Sequence, residues 1–227
     1  MDGDAPYLAI VAGVQTEGRG RDGRKWSTTE ADLAISVLLR PEVSPAVAAT
    51  VGFAAAVAVY DFAKAILPQA TPIGIKWPND VLVGGKKISG ILAEASGGAP
   101  GGGPVEWLIV GVGVNLRPAE RPAGSDPTDI LTAGGPEMSP ARATVRLIGE
   151  LGHWLSIWER EGFLPIREAW KERATGLGGP VEARLPNQTL QGTAVDLAED
   201  GALILALATG EERRIAAGDI FPLVEEA

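Results

Sequence analysis

The part of this sequence that most constrains the fold is the punctuation of residues 72–94, PIGIKWPNDVLVGGKKISGILAE. Trp77-Pro78 stops a ladder because proline has no amide proton to give, and Asn79-Asp80 favours a turn. Gly84-Gly85 sits between two β-rich runs, a strong hairpin signal. Three short strands are expected, at 73–77, 81–83 and 86–94. Further strand-like runs are YLAIVAGV (7–14), DLAISVLL (32–39) and VEWLIVGVGVNL (105–116), the last reading as a central strand. Ser44-Pro45 is an N-cap followed by proline at the first helical position. It opens an alanine- and valine-rich helix to about residue 67, apolar on nearly every face and therefore buried. Ser139-Pro140 repeats the signature, and the helix after it places Leu147, Leu151, Trp154, Leu155 and Trp158 on one face. A second helix follows at about 163–174. GLGGP (176–180) reads as a linker, and 181–224 holds only short β-like runs between turn residues. The expected class is α+β: a mixed β-sheet packed with helices over residues 1–176, then a small β-barrel over 177–227.

Composition narrows the chemistry. The chain of 227 residues has no cysteine, which removes disulfides, thiol catalysis and thiolate metal sites. Its one histidine, His153, cannot build a His-rich zinc site or most catalytic triads, and reads as a packed or surface residue. A net charge of −9 disfavours a broad nucleic-acid surface. Residues 1–6 lack the basic, apolar pattern of a secretory signal. The longest apolar stretch, 46–59, is broken by Thr50 and Gly52 and falls short of the about 20 residues a bilayer span needs. A soluble, cytoplasmic protein without membrane or nucleic-acid partners is expected.

Against that acidic background, GRGRDGRKW (18–26) concentrates basic residues between two apolar strands. Its glycines let the backbone turn tightly and expose N–H groups, and its arginines present forked donors that fit carboxylate and phosphate. Trp26 could stack on a heteroaromatic ring. An anion-binding active site is the favoured reading, ahead of a solvated loop or an RNA-binding Arg-Gly segment. A second cluster is Lys76-Trp77-Pro78-Asn79-Asp80 with Lys86-Lys87-Ile88-Ser89-Gly90. Lys76 and Asp80 flank a turn and can face one ligand, Lys87 lies in the return strand, and Gly90 permits close backbone approach. The plain alternative is a surface hairpin with a solvated lysine pair.

Taken together, GRGRDGRKW, then GIKWPNDVLVGGKKISGILAE, then VGVGVNL resembles the biotin protein ligase family, in that family's order and spacing. The likeness runs over essentially the whole chain. It implies a fold like that of class II synthetases and biotin/lipoate ligases, followed by an SH3-like β-barrel. By resemblance, Gln15, Arg19, Gly20 and Arg21 hold biotin and close over it, with Arg19 and Arg21 flanking the activated carboxylate. Lys87 contacts both that carboxylate and the α-phosphate, and Gly90 belongs to the biotin pocket. Arg24 and Trp26 fall on the nucleotide side, Lys76, Asn79 and Asp80 on the phosphate and metal side, and Asn115 matches the nucleotide-contacting asparagine of a G-x-G-x-N segment. Asp80 also matches the carboxylate that orients the incoming lysine.

The resemblance further implies ATP and Mg²⁺ as cofactors, biotin as substrate and the biotin carboxyl carrier domain of a carboxylase as partner, with homodimerisation common. The implied reaction needs no protein nucleophile, only neutralisation where two anions meet. No helix-turn-helix segment precedes the ligase motifs, so a monofunctional ligase is expected. Family members also carry an opening strand and helix with a Ser-Thr-Asn or Ser-Thr-Gln motif; none stands upstream of Gln15, and an N-terminally shortened ligase is the expectation. A lipoate or other acyl ligase on the same fold, or a non-catalytic nucleotide- or carrier-binding relative, are the alternatives.

Overall fold

The computed structural model describes residues 8–97, 103–119 and 126–223. The sequence readings made on residues 1–7, on most of the glycine-rich stretch 96–104 and on part of the loop 117–136 lie outside them. Strands β1 (Leu8–Ala12), β2 (Leu33–Leu39), β3 (Ile73–Lys76), β4 (Asp80–Val83), β5 (Lys86–Ala95) and β6 (Leu108–Val114) form one sheet in the order β1-β2-β6-β5-β4-β3. The 105–116 run supplies β6, which is central as expected, and the three strands of 72–94 are present. Gly84 and Gly85 have φ of 56° and 79°, the pair of positive values that a two-residue hairpin turn between right-twisted strands requires.

The sheet is not mixed: every pairing between its strands is antiparallel. The connection from β2 to β3 is helical and would yield a parallel pair if those strands were neighbours. It instead carries the chain across the sheet to the far edge, so the two strands never meet. Parallel pairing is confined to isolated bridges, Ile75 with Ala174 and Lys87 with Pro127.

Helices α1 (Pro45–Ala48) and α2 (Val51–Ile66) together form the apolar helix that Ser44 opens, its side chain accepting from the Val47 amide. Residues 45–66 are apolar and long enough to cross a bilayer, beyond the stretch the sequence suggested. The residues from Ala54 to Val59 are nonetheless completely buried inside the protein, as befits the core helix the all-round apolar pattern implied. Across α2 lie α3 (Pro140–Glu161) and α4 (Phe163–Arg173). α3 buries Leu147, Leu151, Leu155 and Trp158 as its spacing predicts, and the Trp158 indole donates to Thr50 Oγ1 at 2.8 Å. Trp154 is only half-buried because its indole reaches sideways to Asp61 Oδ2 at 2.9 Å, and His153 is exposed.

The C-terminal strands β7 (Pro180–Leu185), β8 (Gln188–Leu197), β9 (Leu203–Leu207), β10 (Glu212–Ile215) and β11 (Asp219–Pro222) form a second antiparallel sheet, ordered β10-β9-β8-β7-β11. It is not a closed barrel, because β10 and β11 do not pair. At the corner between them the Gly218 carbonyl is taken by the Arg21 guanidinium, 2.8 Å away, rather than by a strand amide. This small sheet is docked on the larger unit. The Trp77 indole donates to the Gly201 carbonyl at 2.9 Å, Arg167 of α4 reaches Asp196 at 2.8 Å, and the Phe53 ring lies against Gly201.

Candidate active site

A cleft of about 790 Å³ opens where the 18–26 loop crosses β4, β5 and β6. Gln15, Arg19, Gly20, Arg21, Arg24, Trp26, Asn79, Asp80, Lys87, Gly90 and Asn115 all line it, so the structure gathers the expected site residues except Lys76. The Lys76 ammonium instead stands 4.3 Å from the centre of the Phe221 ring, just behind the wall. Burial pulls its pKa below the ordinary lysine value, helped by the nearby positive charges of Lys87 and Arg21 and opposed by Asp80 and Asp219.

The loop is a small hairpin. The Trp26 amide donates to Gly18 O at 2.8 Å, the Gly20 amide donates to Arg24 O at 2.7 Å, and Asp22 and Gly23 turn the tip at positive φ. Gly18 is required here: a Cβ would fall 2.3 Å from the Trp26 carbonyl oxygen. The loop's base is tied by the Gln15 amide to Thr28 Oγ1 at 2.8 Å. Asp32, buried, accepts from Thr29 at its amide and hydroxyl and from the Leu116 amide.

The floor is the cross-strand pair Gly90 and Gly113 of β5 and β6. The Trp26 ring lies flat enough on it that a Cβ on Gly113 would fall 2.4 Å from the indole and one on Gly90 3.1 Å. The Trp26 indole N–H is buried there with no hydrogen-bond partner, and Lys87 Nζ sits 5.5 Å from the ring centre.

Lys87 reaches this face because of a bulge. Asp80 pairs with Gly90 and Val81 with Ser89, but Leu82 pairs with Lys87, so β5 carries an extra residue, Ile88. Side chains alternate between faces, so in a regular ladder Lys87, three residues from Gly90, would pair with Val83 and share the buried face of Val81 and Val83. With the bulge, Lys87 joins Asp80 on the cleft face and pairs with its carboxylate at 2.5 Å.

The arginines of the 18–26 loop are likewise met by carboxylates. Arg19, largely exposed, lies 3.2 Å from Glu94. Arg21 Nη2 lies 3.0 Å from Asp219 Oδ1, and Arg24 engages both oxygens of the same carboxylate, at 3.3 Å to Oδ1 and more closely to Oδ2. Burial alone would raise the Asp219 pKa. The hydrogen bond from Arg24 and the charges of Arg24, Arg21 and Lys76 overcome it and hold the carboxyl below the usual range. Arg19, Arg21 and Lys87 are therefore set around the cleft on three different acids.

Two expected nucleotide-side residues are engaged internally. Asn79 donates its side-chain amide to Ile91 O, bracing the turn that carries Asp80. Asn115, buried, donates to Thr128 O at 2.9 Å and Lys87 O at 3.3 Å, leaving its Oδ1 buried without a partner. That amide clasps residues 126–130 against β5. Among the described residues no cluster of three or more His, Asp or Glu side chains is arranged to hold a metal. Of the expected site residues, Asp80 is the carboxylate that could give Mg²⁺ an oxygen, which suits an ion arriving on a nucleotide with phosphates and water as its other ligands.

Sequence reasoning missed Asp219 and Phe221, which line the cleft from β11, and Glu94 and Gly113. Gly113 lies inside the quoted VGVGVNL and could have been read from it. Asp219 is 198 residues from Arg21, and no local pattern marks it.

Comparison with known proteins agrees with this architecture. Residues 4–115 match the biotin/lipoate A/B protein ligase family, and residues 176–221 match the biotin protein ligase C terminal domain. The biotin–acetyl-CoA-carboxylase ligase of Paracoccus denitrificans is 36% identical over 217 residues, covering 93% of this chain and 89% of the relative. That of Mycobacterium tuberculosis is 33% identical over 224 residues, covering 97% and 80%. Among solved structures, the biotin protein ligase from Aquifex aeolicus in complex with biotin and ATP superposes with a TM-score of 0.76 at 27% identity, covering 94% of this chain and 87% of that one. With both modules and a long-range match to these enzymes, the chain belongs to the biotin protein ligase family.

Proposed function

We propose that this chain is an ATP-dependent biotin–protein ligase of the cytoplasm, which activates biotin as biotinyl-5′-adenylate and transfers it to a lysine of a biotin carboxyl carrier domain. The observation that carries the reading is the convergence of Arg19, Arg21, Arg24 and Lys87 on one cleft beside a smooth glycine floor, in a protein that is otherwise acidic. Residues 1–176 form the catalytic domain and 177–227 the C-terminal β domain.

In the first step a biotin carboxylate oxygen bonds to the α-phosphorus while the bond to the β-phosphate oxygen breaks and pyrophosphate leaves. Two anions must approach, and Arg19, Arg21 and Lys87 supply the positive charge that makes this possible. The carboxylates beside these cations hold them in place before a substrate anion arrives, so the groups meet it already oriented. Asp80 would give an oxygen to Mg²⁺ carried by the nucleotide, which would supply further positive charge at the phosphates. Trp26, laid over the Gly90–Gly113 floor, offers the apolar surface a fused ring needs. In the second step Asp80 is placed to receive the acceptor lysine's ammonium and take a proton from it; the amine then attacks the acyl carbon, the acyl–phosphate oxygen bond breaks, AMP leaves and the amide nitrogen gives up its remaining extra proton to solvent.

The test is a streptavidin blot of an apo carrier domain incubated with this chain, biotin and Mg-ATP. Labelling that depends on ATP and disappears in Arg19→Ala is the expected result. Absence of labelling by the folded chain, or labelling by lipoate in place of biotin, would overturn it.

A further inference from the structure

We infer that Asp219 is a positioning residue for the nucleotide half of the reaction, holding Arg21 and Arg24 across the cleft and so making the C-terminal sheet part of the active site. This rests on the ligase reading above and extends it to the small domain. The contact is a built one. Arg24 grips both carboxylate oxygens, and Arg21 takes Oδ1 together with the Gly218 carbonyl next to it. A planar guanidinium with two fixed partners is held in orientation as well as position.

The loop needs such a hold. The tip residues Asp22, Gly23 and Arg24 are exposed, and the hairpin bonds at Gly18 and Gly20 fix its backbone but not its long side chains. Lys87, Arg21 and Arg24 also gather on one side of the cleft, with Lys76 behind its wall, and these charges repel. Asp80 offsets Lys87, and Asp219 offsets the arginines.

Asp219 is itself well placed to act as a fixed point. It starts β11, paired with Arg184 of β7, and two residues on Phe221 is flanked by Lys76 and Arg184, each 4.3 Å from the ring centre. The sheet behind it is anchored through Trp77, Phe53 and Arg167. Asp219 therefore transmits the position of the C-terminal sheet to the two arginines without touching the reacting atoms.

The whole chain with Asp219→Asn and Asp219→Glu tests this, with Asp200→Asn as control because Asp200 pairs with Arg214 away from the cleft. Mg-ATP affinity is measured by calorimetry at saturating biotin, with biotin-dependent ATP–pyrophosphate exchange and melting temperature alongside. The asparagine variant should bind Mg-ATP about tenfold or more weakly, with KM for ATP rising more than kcat falls. The glutamate variant should recover most of the loss, and the control should match wild type. In an Arg24→Gln background, Asp219→Asn should add much less than it does alone. Unchanged or tighter ATP binding in Asp219→Asn would overturn the inference, as would equal losses in Asp219→Asn and Asp200→Asn. A wild type that binds Mg-ATP but shows no biotin-dependent exchange would sink the ligase reading, while the affinities still decide the role of Asp219.

Discussion

At the scale of single residues the cleft depends on what is missing as much as on what is present. Gly113 leaves room for Trp26, whereas a Cβ on Gly111, two residues earlier on the same strand, would meet only the Leu92 carbonyl at an ordinary 3.5 Å. Gly113→Ala should therefore push the indole off the floor, shifting tryptophan emission and reducing adenylation by about tenfold or more, while Gly111→Ala stays close to wild type in both. Lys87 is the cation that the bulge delivers to Asp80. Lys87→Met should cost on the order of 10²–10³ in pyrophosphate exchange with secondary structure retained by circular dichroism. Asp219 sets an acid limit. Its folded pKa is depressed, so its ion pairs stabilise fully above the unfolded carboxylate value of about 3.9 and are lost as pH falls through the lower native value. Below about pH 4 the wild-type melting temperature should fall more steeply than that of Asp219→Asn; parallel curves would show that these pairs do not matter for stability.

At the scale of elements, one tie between the two sheets lies at the turn before β9. Gly201 has a φ of 84°, its carbonyl accepts from Trp77, and a Cβ there would fall 2.6 Å from the Phe53 ring. Gly201→Ala meets both a left-handed backbone and a steric clash, so destabilisation of about 2–4 kcal/mol is expected, read as a lower urea midpoint. Trp77→Phe keeps an aromatic ring but loses the indole N–H, leaving the Gly201 carbonyl without its donor, and should cost at least about 1–3 kcal/mol. The same scale explains how much was legible beforehand. The Gly-Gly hairpin, the Ser-Pro helix starts and the buried face of α3 rest on local rules and on side-chain periods within one element, and they are where the sequence places them. The bulge at Ile88 has no such signature, because it exists only in the pairing of β5 with β4.

For the whole molecule, the two sheets are bound by Trp77 to Gly201, by Arg167 to Asp196 and Leu197, and by Arg21 and Arg24 to Asp219. These ties span the interface from α4 to the cleft, so the protein should unfold as one unit. All six tryptophans precede the C-terminal sheet, and Trp77 also touches it, so their fluorescence follows mainly the catalytic part while far-ultraviolet dichroism follows both. The two denaturation curves should coincide; two transitions with different midpoints would show a C-terminal sheet that melts separately.

What the sequence determined by itself was the α+β class, the element order and the cleft residues of its two motif-rich segments, because tight turns, caps and anion-binding loops are local chemistry. The tertiary structure alone decided strand direction, since the helical crossover passes to the far edge of the sheet, and left the small sheet open at Gly218. It also moved Lys76 behind the wall, turned Lys87 into the cleft, and brought Asp219 to the arginine loop. Each of these depends on contacts between segments far apart in the chain, where distance in sequence carries no information about distance in space.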